Sequence, residues 1–261
     1  MENKKPKKKK NKYYNKDKEQ NNEVNTNINN QKNNKVKYFL MIPLEQENFI
    51  NTFNTLYTKL EKENPPNFNI NLFQKSQKLH LTLVVLDINE NPEKTEKIIN
   101  IINNILSEIK DIANDELFFN FDKFDVFDTV KNAKVVFAKM IEDENHYKLK
   151  LITNLIIKKL LEENILDKKD LTKLNVGEEY NDGELIYVIK FHLTLLNVKY
   201  LNRFLEKEKK PFIHDINATD ILQCIKDIKF PECKLDKINL CAMREDPSNG
   251  KYEIIHTFNI L

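Results

Sequence analysis

Short apolar runs at several places in the chain have the pattern of β-strands. They are rich in β-branched and aromatic residues, and several alternate apolar with polar positions, as strands packed on one face do. The strands predicted in this way are residues 36–44, 78–88, 116–127, 133–141 and 186–198. Two more alternating runs, 237–245 and 251–261, flank Ser248–Asn249–Gly250. An Asn-Gly pair between two such runs predicts a β-hairpin.

Other segments repeat apolar residues at the three- and four-residue spacing of amphipathic helices. Helices are predicted over residues 45–63, 91–112, 144–164 and 218–228. The first ends before Pro65–Pro66, because proline cannot continue a helix. After the third helix, the polar segment 167–184 contains two of the three glycines of the chain. This composition predicts a mobile loop between two halves.

The order of the predicted elements indicates the fold class. It reads strand, helix, strand, helix, two strands, helix, strand, helix and hairpin. Such an order is typical of an α+β fold, in which helices pack on the outside of sheets rich in antiparallel pairs. We therefore predict an α+β fold for residues 36–261.

The first 35 residues differ in composition from the rest of the chain. They hold 11 of the 42 Lys and Arg residues and only 4 of the 40 Asp and Glu residues, so the remainder carries an excess of 5 acids. Residues 1–35 contain almost no apolar residues, which predicts a disordered, Lys- and Asn-rich basic tail. Its KKPKKKKNK stretch has the composition of a nuclear-localisation signal or a polyanion-binding patch, or of a solvated low-complexity extension. The mildly acidic body argues against a global field for duplex nucleic acid.

Membrane and disulfide features are not expected. No apolar segment follows the basic run as in a secretory signal peptide, and none approaches the ~18 uninterrupted apolar residues of a membrane span. The three cysteines, an odd number, suggest reduced thiols in a cytoplasmic or nuclear protein. With His214, the residues Cys224, Cys233 and Cys241 have spacings wider than zinc knuckles use, so no metal site is predicted.

One hexamer occurs twice in the chain. KLHLTL occupies residues 78–83, and KFHLTL occupies residues 190–195. Side chains two residues apart share a face of a strand, so each copy presents a His and a Thr together and buries its Leu or Phe residues on the other face. Repetition of this kind indicates duplicated structural units. If the two halves pack about a pseudo-twofold axis, the two polar faces line one groove.

Two imidazoles and two hydroxyls that face each other suit the chemistry of a phosphodiester. One neutral His can take a proton from the attacking hydroxyl or water, and the other, protonated, can give one to the leaving oxygen. The Thr hydroxyls can bind the non-bridging phosphoryl oxygens, where charge develops. The candidate catalytic pair is therefore His80 and His192, and the candidate phosphate ligands are Thr82 and Thr194. This chemistry calls for no metal and no cofactor.

Three further residues are candidates for contact with a nucleotide. Phe39 and Met41 lie on the first predicted strand. The side chain of each can lie either in the core or in the groove. Arg244 lies beside the predicted hairpin, where a solvated hairpin tip is the alternative to nucleotide binding.

These motifs resemble a known family. The paired H-x-T motifs are similar to those of the two-histidine (2H) phosphoesterases, which include bacterial RNA ligase-like proteins and cyclic nucleotide phosphodiesterases. YFLMIPL, KLHLTLVVL, FHLTLLNV and KINLCAMREDPSNGKYE resemble, over residues 36–261, the central, nuclear-localisation-signal-type domain of A-kinase anchoring proteins. A coactivator-complex subunit has a similar domain.

The resemblance implies a bilobal fold, with two antiparallel-rich sheets around a central groove and helices outside. It implies that the groove binds nucleotides such as AMP or CMP, and that some members hydrolyse 2′,5′-linked oligoadenylates or process RNA ends. It also assigns the catalytic role to His80 and His192 and phosphate binding to Thr82 and Thr194. In the anchoring proteins a kinase-binding helix follows the domain, whereas this sequence stops at Leu261. A protein kinase A regulatory subunit is thus an expected partner only if another helix, such as 144–164, substitutes.

Two functions follow from these observations. The first is a metal-independent phosphodiesterase acting on 2′,5′-linked oligonucleotides, cyclic phosphates or RNA ends. The second is a scaffold that binds a nucleotide without turning it over.

Overall fold

Two antiparallel sheets form the centre of the fold. The computed structural model describes residues 37–88, 90–114, 117–174, 176–181 and 183–261, so the predicted tail lies outside the described residues. The strands are β1 Tyr38–Pro43, β2 His80–Leu86, β3 Phe118–Phe119, β4 Phe121–Thr129, β5 Asn132–Met140, β6 Gly177–Asn181, β7 Glu184–Val188, β8 His192–Asn197, β9 Cys233–Lys234, β10 Lys237–Glu245 and β11 Tyr252–Asn259. The helices are α1 Glu47–Glu63, α2 Pro92–Asn104, α3 Leu106–Ala113, α4 Glu144–Glu162, α5 Lys168–Lys173, α6 Val198–Lys207 and α7 Thr219–Ile225.

The first sheet has the strand order β11-β10-β1-β2, and the second has the order β4-β5-β8. Every pairing within them is antiparallel. β2 and β8, the two strands that carry the hexamers, are each the last strand of their sheet, and they contact each other. Helices pack against these sheets and against one another. The predicted α+β architecture with antiparallel sheets and helices outside them is confirmed.

The apolar faces of the hexamers are buried, as their pattern predicts. In the first copy Leu79, Leu81 and Leu83 are at most 3% exposed, and Phe191, Leu193 and Leu195 in the second are equally buried. Both sets belong to one continuous apolar core. The core thus fixes each strand from one side and leaves its His and Thr on the other.

Truncation of this anchor is expected to destabilise the protein. Leu193→Ala removes a side chain that is 0% exposed, and should lower the free energy of unfolding by about 2–5 kcal/mol through lost apolar contact and a residual cavity. Ile254→Ala on β11 is the control, because Ile254 is 45% exposed. Urea denaturation measures both, and equal effects of the two substitutions would contradict the buried placement of Leu193.

The hairpin at the end of the chain is confirmed. β10 ends at Glu245 and β11 begins at Tyr252, so the turn contains Ser248–Asn249–Gly250. The Asp246 carboxylate accepts hydrogen bonds from the backbone N–H and the hydroxyl of Ser248, at 2.9 and 2.7 Å. Gly250 has a φ of 71°, a left-handed conformation in which glycine carries no steric penalty.

Several predicted boundaries are wrong. The predicted helix 91–112 is two helices, α2 and α3, which are separated at Ile105. The predicted strand 116–127 is divided into β3 and β4, and the predicted strand 186–198 into β7 and β8. Residues 167–184, predicted to be a loop, contain α5, β6 and the first residue of β7, which pairs with β6 as a hairpin. α6 follows β8 directly and was not predicted.

Helix α4, the suggested substitute for a kinase-binding helix, has its apolar stripe in the core. The residues that it buries are Leu149, Ile152, Thr153, Asn154, Ile156, Ile157 and Leu160. The stripe therefore stabilises the fold and is not displayed to a partner. Among the described helices, none combines the length and apolar character needed to cross a bilayer.

Candidate active site

The two hexamers have the same local backbone geometry. In the β1–β2 pairing, Met41 lies opposite Thr82 and Leu40 opposite Val84, so Leu83 is an extra residue in β2. In the β5–β8 pairing, Phe137 lies opposite Thr194 and Val136 opposite Leu196, so Leu195 is an extra residue in β8. A bulge of this kind bends a strand and changes the direction of the neighbouring side chains. The repeat is therefore one of three-dimensional structure, with a bulge directly after each Thr.

Each hexamer His is held by the main chain in the same way. His80 Nδ1 lies 2.7 Å from the carbonyl oxygen of Lys78, and His192 Nδ1 lies 2.8 Å from that of Lys190. A carbonyl oxygen can only accept, so Nδ1 of each ring carries a hydrogen and donates it. In the neutral ring, Nε2 is then the nitrogen with a free lone pair. Both imidazoles are thereby fixed in the tautomer that can accept a proton at Nε2.

Two aromatic rings flank each imidazole. His80 makes edge contacts with Phe39 and Tyr252, both at 5.4 Å between ring centroids. His192 makes edge contacts with Phe127 and Phe137, at 4.9 and 5.3 Å. These contacts fix the ring planes, since edge-to-face pairs are directional.

The lysine two residues before each His completes the repeated unit. Lys78 Nζ lies 4.9 Å from the centroid of Tyr252, which also flanks His80. Lys190 Nζ lies 5.3 and 4.9 Å from the centroids of Phe127 and Phe137, which flank His192. Cations over aromatic faces at such distances are attracted by the ring quadrupole. The structural repeat is thus K-x-H-x-T, longer than the H-x-T pair that the sequence emphasises.

A groove with a volume of about 940 Å³ lies beside the hexamer strands. His80, Thr82 and Thr194 line it, together with Asn197 at the end of β8. His192 is not one of the lining residues, but it lies two residues before Thr194 on β8, the strand that contacts β2. The structure therefore brings the four hexamer side chains to one region.

Burial dominates the protonation behaviour of both rings. It lowers the pKa of His80 to about 4, against the hydrogen bond to the Lys78 carbonyl, which favours the charged form. Burial also lowers the pKa of His192. In the free protein both imidazoles are consequently neutral near pH 7. A bound phosphate anion would raise both pKa values, because it stabilises the imidazolium form.

The low pKa of His80 in the folded protein makes the stability of the fold depend on pH. Unfolded His80 takes up a proton as the pH falls through 6.5, whereas folded His80 does so only near pH 4, so protonation favours unfolding between these values. From pH 7 to pH 5, His80 alone should lower the free energy of unfolding by about 2 kcal/mol. Urea denaturation of wild type and His80→Asn at both pH values measures this difference. A pH dependence that His80→Asn leaves unchanged would contradict it; His214→Asn, in an exposed loop, is the control.

The three other candidate residues lie in different places. Phe39 lines the groove but is only 1% exposed, and it packs with Met41 and Cys241 in a small apolar cluster next to His80. Met41 is 6% exposed and does not line the groove. Arg244 lines a separate hollow, where its guanidinium pairs with the carboxylates of Glu90 and Glu253. The structure thus brings Phe39 to the groove wall, and does not bring Arg244 there.

Residues that the sequence did not single out complete the groove. Gln74 donates a hydrogen bond from Nε2 to the Tyr200 hydroxyl, at 2.8 Å, and Tyr252 lies in the same network. Burial raises the pKa values of Tyr200 and Tyr252, so both phenols keep their protons. Gln74 is itself anchored, since its backbone N–H donates to the carbonyl oxygen of Leu195, at 2.8 Å.

One carboxylate also lies in the groove. Glu245 accepts hydrogen bonds from the ammonium groups of Lys75 and Lys78, at 2.7 to 2.8 Å. These bonds hold the pKa of Glu245 at about 2. Lys78 is thereby fixed between Glu245 and the Tyr252 ring, directly beside His80. The K-x-H spacing in both hexamers is the sequence signal that points to Lys78.

None of the three cysteines lines the groove, and Cys241 packs behind its wall with Phe39. Cys224, Cys233 and Cys241 are buried free thiols, and burial raises the pKa of each well above its ordinary value. Within the described residues, no three His, Cys, Asp or Glu side chains are grouped so that they could hold a metal ion.

Comparison with solved structures finds several to which this chain is similar. E. coli LigT complexed with 3′-AMP matches with a TM-score of 0.47 and 12% identity, over 86% of this chain and 98% of that one. E. coli LigT complexed with NADP+ matches with a TM-score of 0.46 and 12% identity, over 86% and 97%. TT0787 of Thermus thermophilus matches with a TM-score of 0.48 and 15% identity, over 86% and 97%. The search of curated proteins found no significant match.

The match to a protein family covers nearly all of the described residues. Residues 36–260 match the family described as the AKAP7 2'5' RNA ligase-like domain. This match spans both hexamers, both sheets and the terminal hairpin, and it confirms the resemblance inferred from the motifs. The chain belongs to the family of AKAP7 2'5' RNA ligase-like domains.

Proposed function

We propose that this protein is a metal-independent phosphodiesterase that uses His80 and His192 as an acid–base pair. The observation that supports this most directly is the structural repeat. Both strands end a sheet, both carry a bulge after the Thr, and both fix the His by a hydrogen bond from Nδ1 to the carbonyl oxygen two residues earlier. A structural role alone would not require the same polar arrangement twice beside one groove.

The proposed reaction requires two proton transfers. Nε2 of one neutral imidazole takes the proton of the attacking hydroxyl, from water or ribose, while the oxygen attacks phosphorus. The bond from phosphorus to the leaving oxygen breaks, and the other, protonated imidazole donates a proton to that oxygen. The first ring ends protonated and the second neutral, so exchange with solvent restores the pair. Since two imidazoles carry both transfers, no metal-bound hydroxide is needed.

The two Thr hydroxyls are proposed to bind the phosphoryl group. Thr82 and Thr194 line the groove, and each lies two residues after its His, on the same face of its strand. Hydrogen bonds from fixed donors to the non-bridging oxygens favour the transition state, in which charge on those oxygens grows. The phosphate in turn supplies the negative charge that stabilises the protonated ring, whose pKa is low in the free protein.

The proposed substrates are 2′,5′-linked oligonucleotides, cyclic phosphates or RNA ends. A groove of about 940 Å³ has the size of sites that hold nucleotide-sized molecules. The nucleobase is proposed to lie against an aromatic part of the groove wall, which includes Tyr57, Tyr200 and Phe204. Within such a site, bases can stack on aromatic rings while the phosphate lies at the hexamers.

The direct test is hydrolysis in the presence of EDTA. Wild-type protein is incubated with 2′,5′-linked triadenylate, with 3′,5′-linked RNA of the same length and with a 2′,3′-cyclic phosphate, and the products are separated by chromatography. Cleavage of at least one of the three, unchanged by EDTA, is expected. Activity that appears only after addition of a divalent cation would contradict the proposed mechanism.

A nucleotide-binding scaffold is the second candidate. It is favoured by the position of His192, which does not line the groove, since a phosphate in contact with His80, Thr82 and Thr194 could be held without a second imidazole at the leaving oxygen. Calorimetric titration with AMP and CMP distinguishes the two. Micromolar binding, together with no cleavage of any of the three substrates, would favour the scaffold.

A further inference from the structure

Three cationic side chains follow one another along the groove side of α6. Lys199, Arg203 and Lys207 are spaced by four residues, which places them on one side of the helix with a rise of about 6 Å from each to the next. All three line the groove. α6 begins directly after β8, the strand that carries Thr194. The row of cations therefore leads along the groove from the candidate phosphate site.

The charges on the two walls of the groove differ. On the wall that precedes β2, Lys75 and Lys78 are both paired with Glu245. On the α6 wall, no described carboxylate lies within ion-pair distance of Lys199, Arg203 or Lys207, and all three side chains are exposed. The uncompensated positive charge of the groove thus lies on α6. A concave surface with an excess of one sign of charge concentrates ligands of the opposite sign.

Apolar side chains accompany these cations. Phe204 is 37% exposed and Met243 is 42% exposed, and both line the same groove. The Arg203 guanidinium lies 6.0 Å from the centroid of the Tyr200 ring. Cations that alternate with exposed aromatic surface are the combination that binds single-stranded nucleic acid, in which phosphates meet the cations and bases stack on the rings.

We propose that α6 forms an outer subsite for phosphate groups beyond the one at the hexamers, with Phe204 and Met243 in contact with the adjoining base. This inference rests on the proposed function and extends it. It selects substrates that carry several phosphates over cyclic mononucleotides and unphosphorylated dinucleotides. Two sources supply this chemistry: the successive diesters of a longer oligonucleotide, and a 5′-triphosphate on a short one.

The test compares substrates of different length and end group. kcat/KM is measured for 2′,5′-linked diadenylate, tetra-adenylate and 5′-triphosphorylated diadenylate, with wild type and with Lys199→Gln/Arg203→Gln/Lys207→Gln. Each exposed cation should contribute about threefold to kcat/KM, so removal of all three should lower kcat/KM for the best substrate by about 30-fold. For diadenylate the decrease should be at most about threefold. Because kcat/KM should decrease as salt increases, the slope of log kcat/KM against log salt is negative, and its magnitude should be smaller by about 2 in the variant. Each lost contact with a single strand contributes roughly 0.7 to this magnitude.

The control variant is Lys94→Gln/Lys169→Gln/Lys226→Gln. It removes the same net charge from exposed positions that do not line the groove. It should leave all three rates unchanged. A loss with tetra-adenylate alone assigns the subsite to successive diesters, and a loss with the triphosphorylated dinucleotide alone assigns it to a terminal triphosphate.

Two results would overturn the outer subsite while leaving the phosphodiesterase intact. They are an equal loss for all three substrates, and an equal loss in the control variant. If wild type cleaves none of these three 2′,5′-linked substrates, fluorescence anisotropy with the same three labelled ligands takes the place of kinetics. The proposed function itself fails only if 3′,5′-linked RNA and the 2′,3′-cyclic phosphate are also left uncleaved. Tighter binding of the longer or triphosphorylated ligand that only the α6 variant loses would then support the subsite; binding without such a difference would overturn it.

Discussion

Replacement of either hexamer His by Asn is expected to lower kcat by about 10²–10⁴-fold, the usual contribution of a positioned general acid or base. The amide nitrogen of Asn can replace the donor at Nδ1, but Asn has no group that accepts or gives a proton at the position of Nε2. The binding of AMP should change much less than kcat, because the Thr hydroxyls and the cations of the groove remain. Steady-state kinetics of His80→Asn and His192→Asn, with AMP titrations, measure both quantities.

Two other histidines provide controls for this prediction. His214 lies in an exposed loop, and His256 lies on β11, where it contacts Phe258. Neither lines the groove. Substitution of either by Asn should leave kcat within about twofold of wild type, since a substitution away from the reacting atoms removes no proton transfer. A loss of the same size in all four variants would show that the hexamer histidines are not distinct in function.

The second largest effect is expected at the Thr residues. Thr82→Val and Thr194→Val keep the shape of the side chain and remove its hydroxyl, so each should lower kcat by about 10²-fold, as loss of one oxyanion donor does. Thr82→Ser and Thr194→Ser keep the hydroxyl and should recover most of the rate. kcat and KM are measured for the four variants with the best substrate.

The Ser variants separate chemistry from packing. Both Thr residues are only half-buried, so the loss of a methyl group should cost little stability. Recovery by Ser and not by Val assigns the effect to the hydroxyl. If Val variants retain full kcat, or if Ser variants are as slow as Val variants, the Thr residues do not bind the phosphoryl group as proposed.

The parts of the fold that the sequence predicts well are those with a strong local pattern. α1 repeats its apolar residues at helical spacing and begins and ends within two residues of the predicted bounds. The terminal hairpin has its Asn-Gly turn, and the hexamers have the alternation of half-buried strands. In each case the residues that determine the element are neighbours in sequence, so no tertiary information is needed.

Other elements have weaker or overlooked signals. α5 begins with a reciprocal capping box, in which Asp167 and Asp170 each accept a hydrogen bond from the backbone N–H of the other. That signal is present in the sequence, but the polar composition around it favours a loop. All five residues of β6 are exposed, so the strand has no apolar alternation. α6 begins at Val198, in the middle of an apolar run that is typical of a strand. Its N-cap is Asn197, whose side chain accepts a hydrogen bond from Lys199 N–H.

The groove is predicted only in part, because its walls come from distant segments. The hexamers identify His80, Thr82 and Thr194 because they repeat. Gln74 and Tyr252 lie far apart in the sequence and meet only after β1, β2, β10 and β11 have formed one sheet. Arg244 is a candidate from the sequence that does not lie in the groove. Strand alternation directs its neighbours Met243 and Glu245 to the groove and Arg244 away from it.

Cleavage of a substrate with an activated leaving group tests most directly whether the two imidazoles act as one acid–base pair. A nucleoside 4-nitrophenyl phosphate diester releases nitrophenolate, which needs no protonation, so loss of the general acid should no longer slow the reaction. We expect one of His80→Asn and His192→Asn to recover nearly the wild-type rate on this substrate, while the other, which lacks the base, stays slow. Full recovery of both variants, or of neither, would contradict the division of roles between His80 and His192.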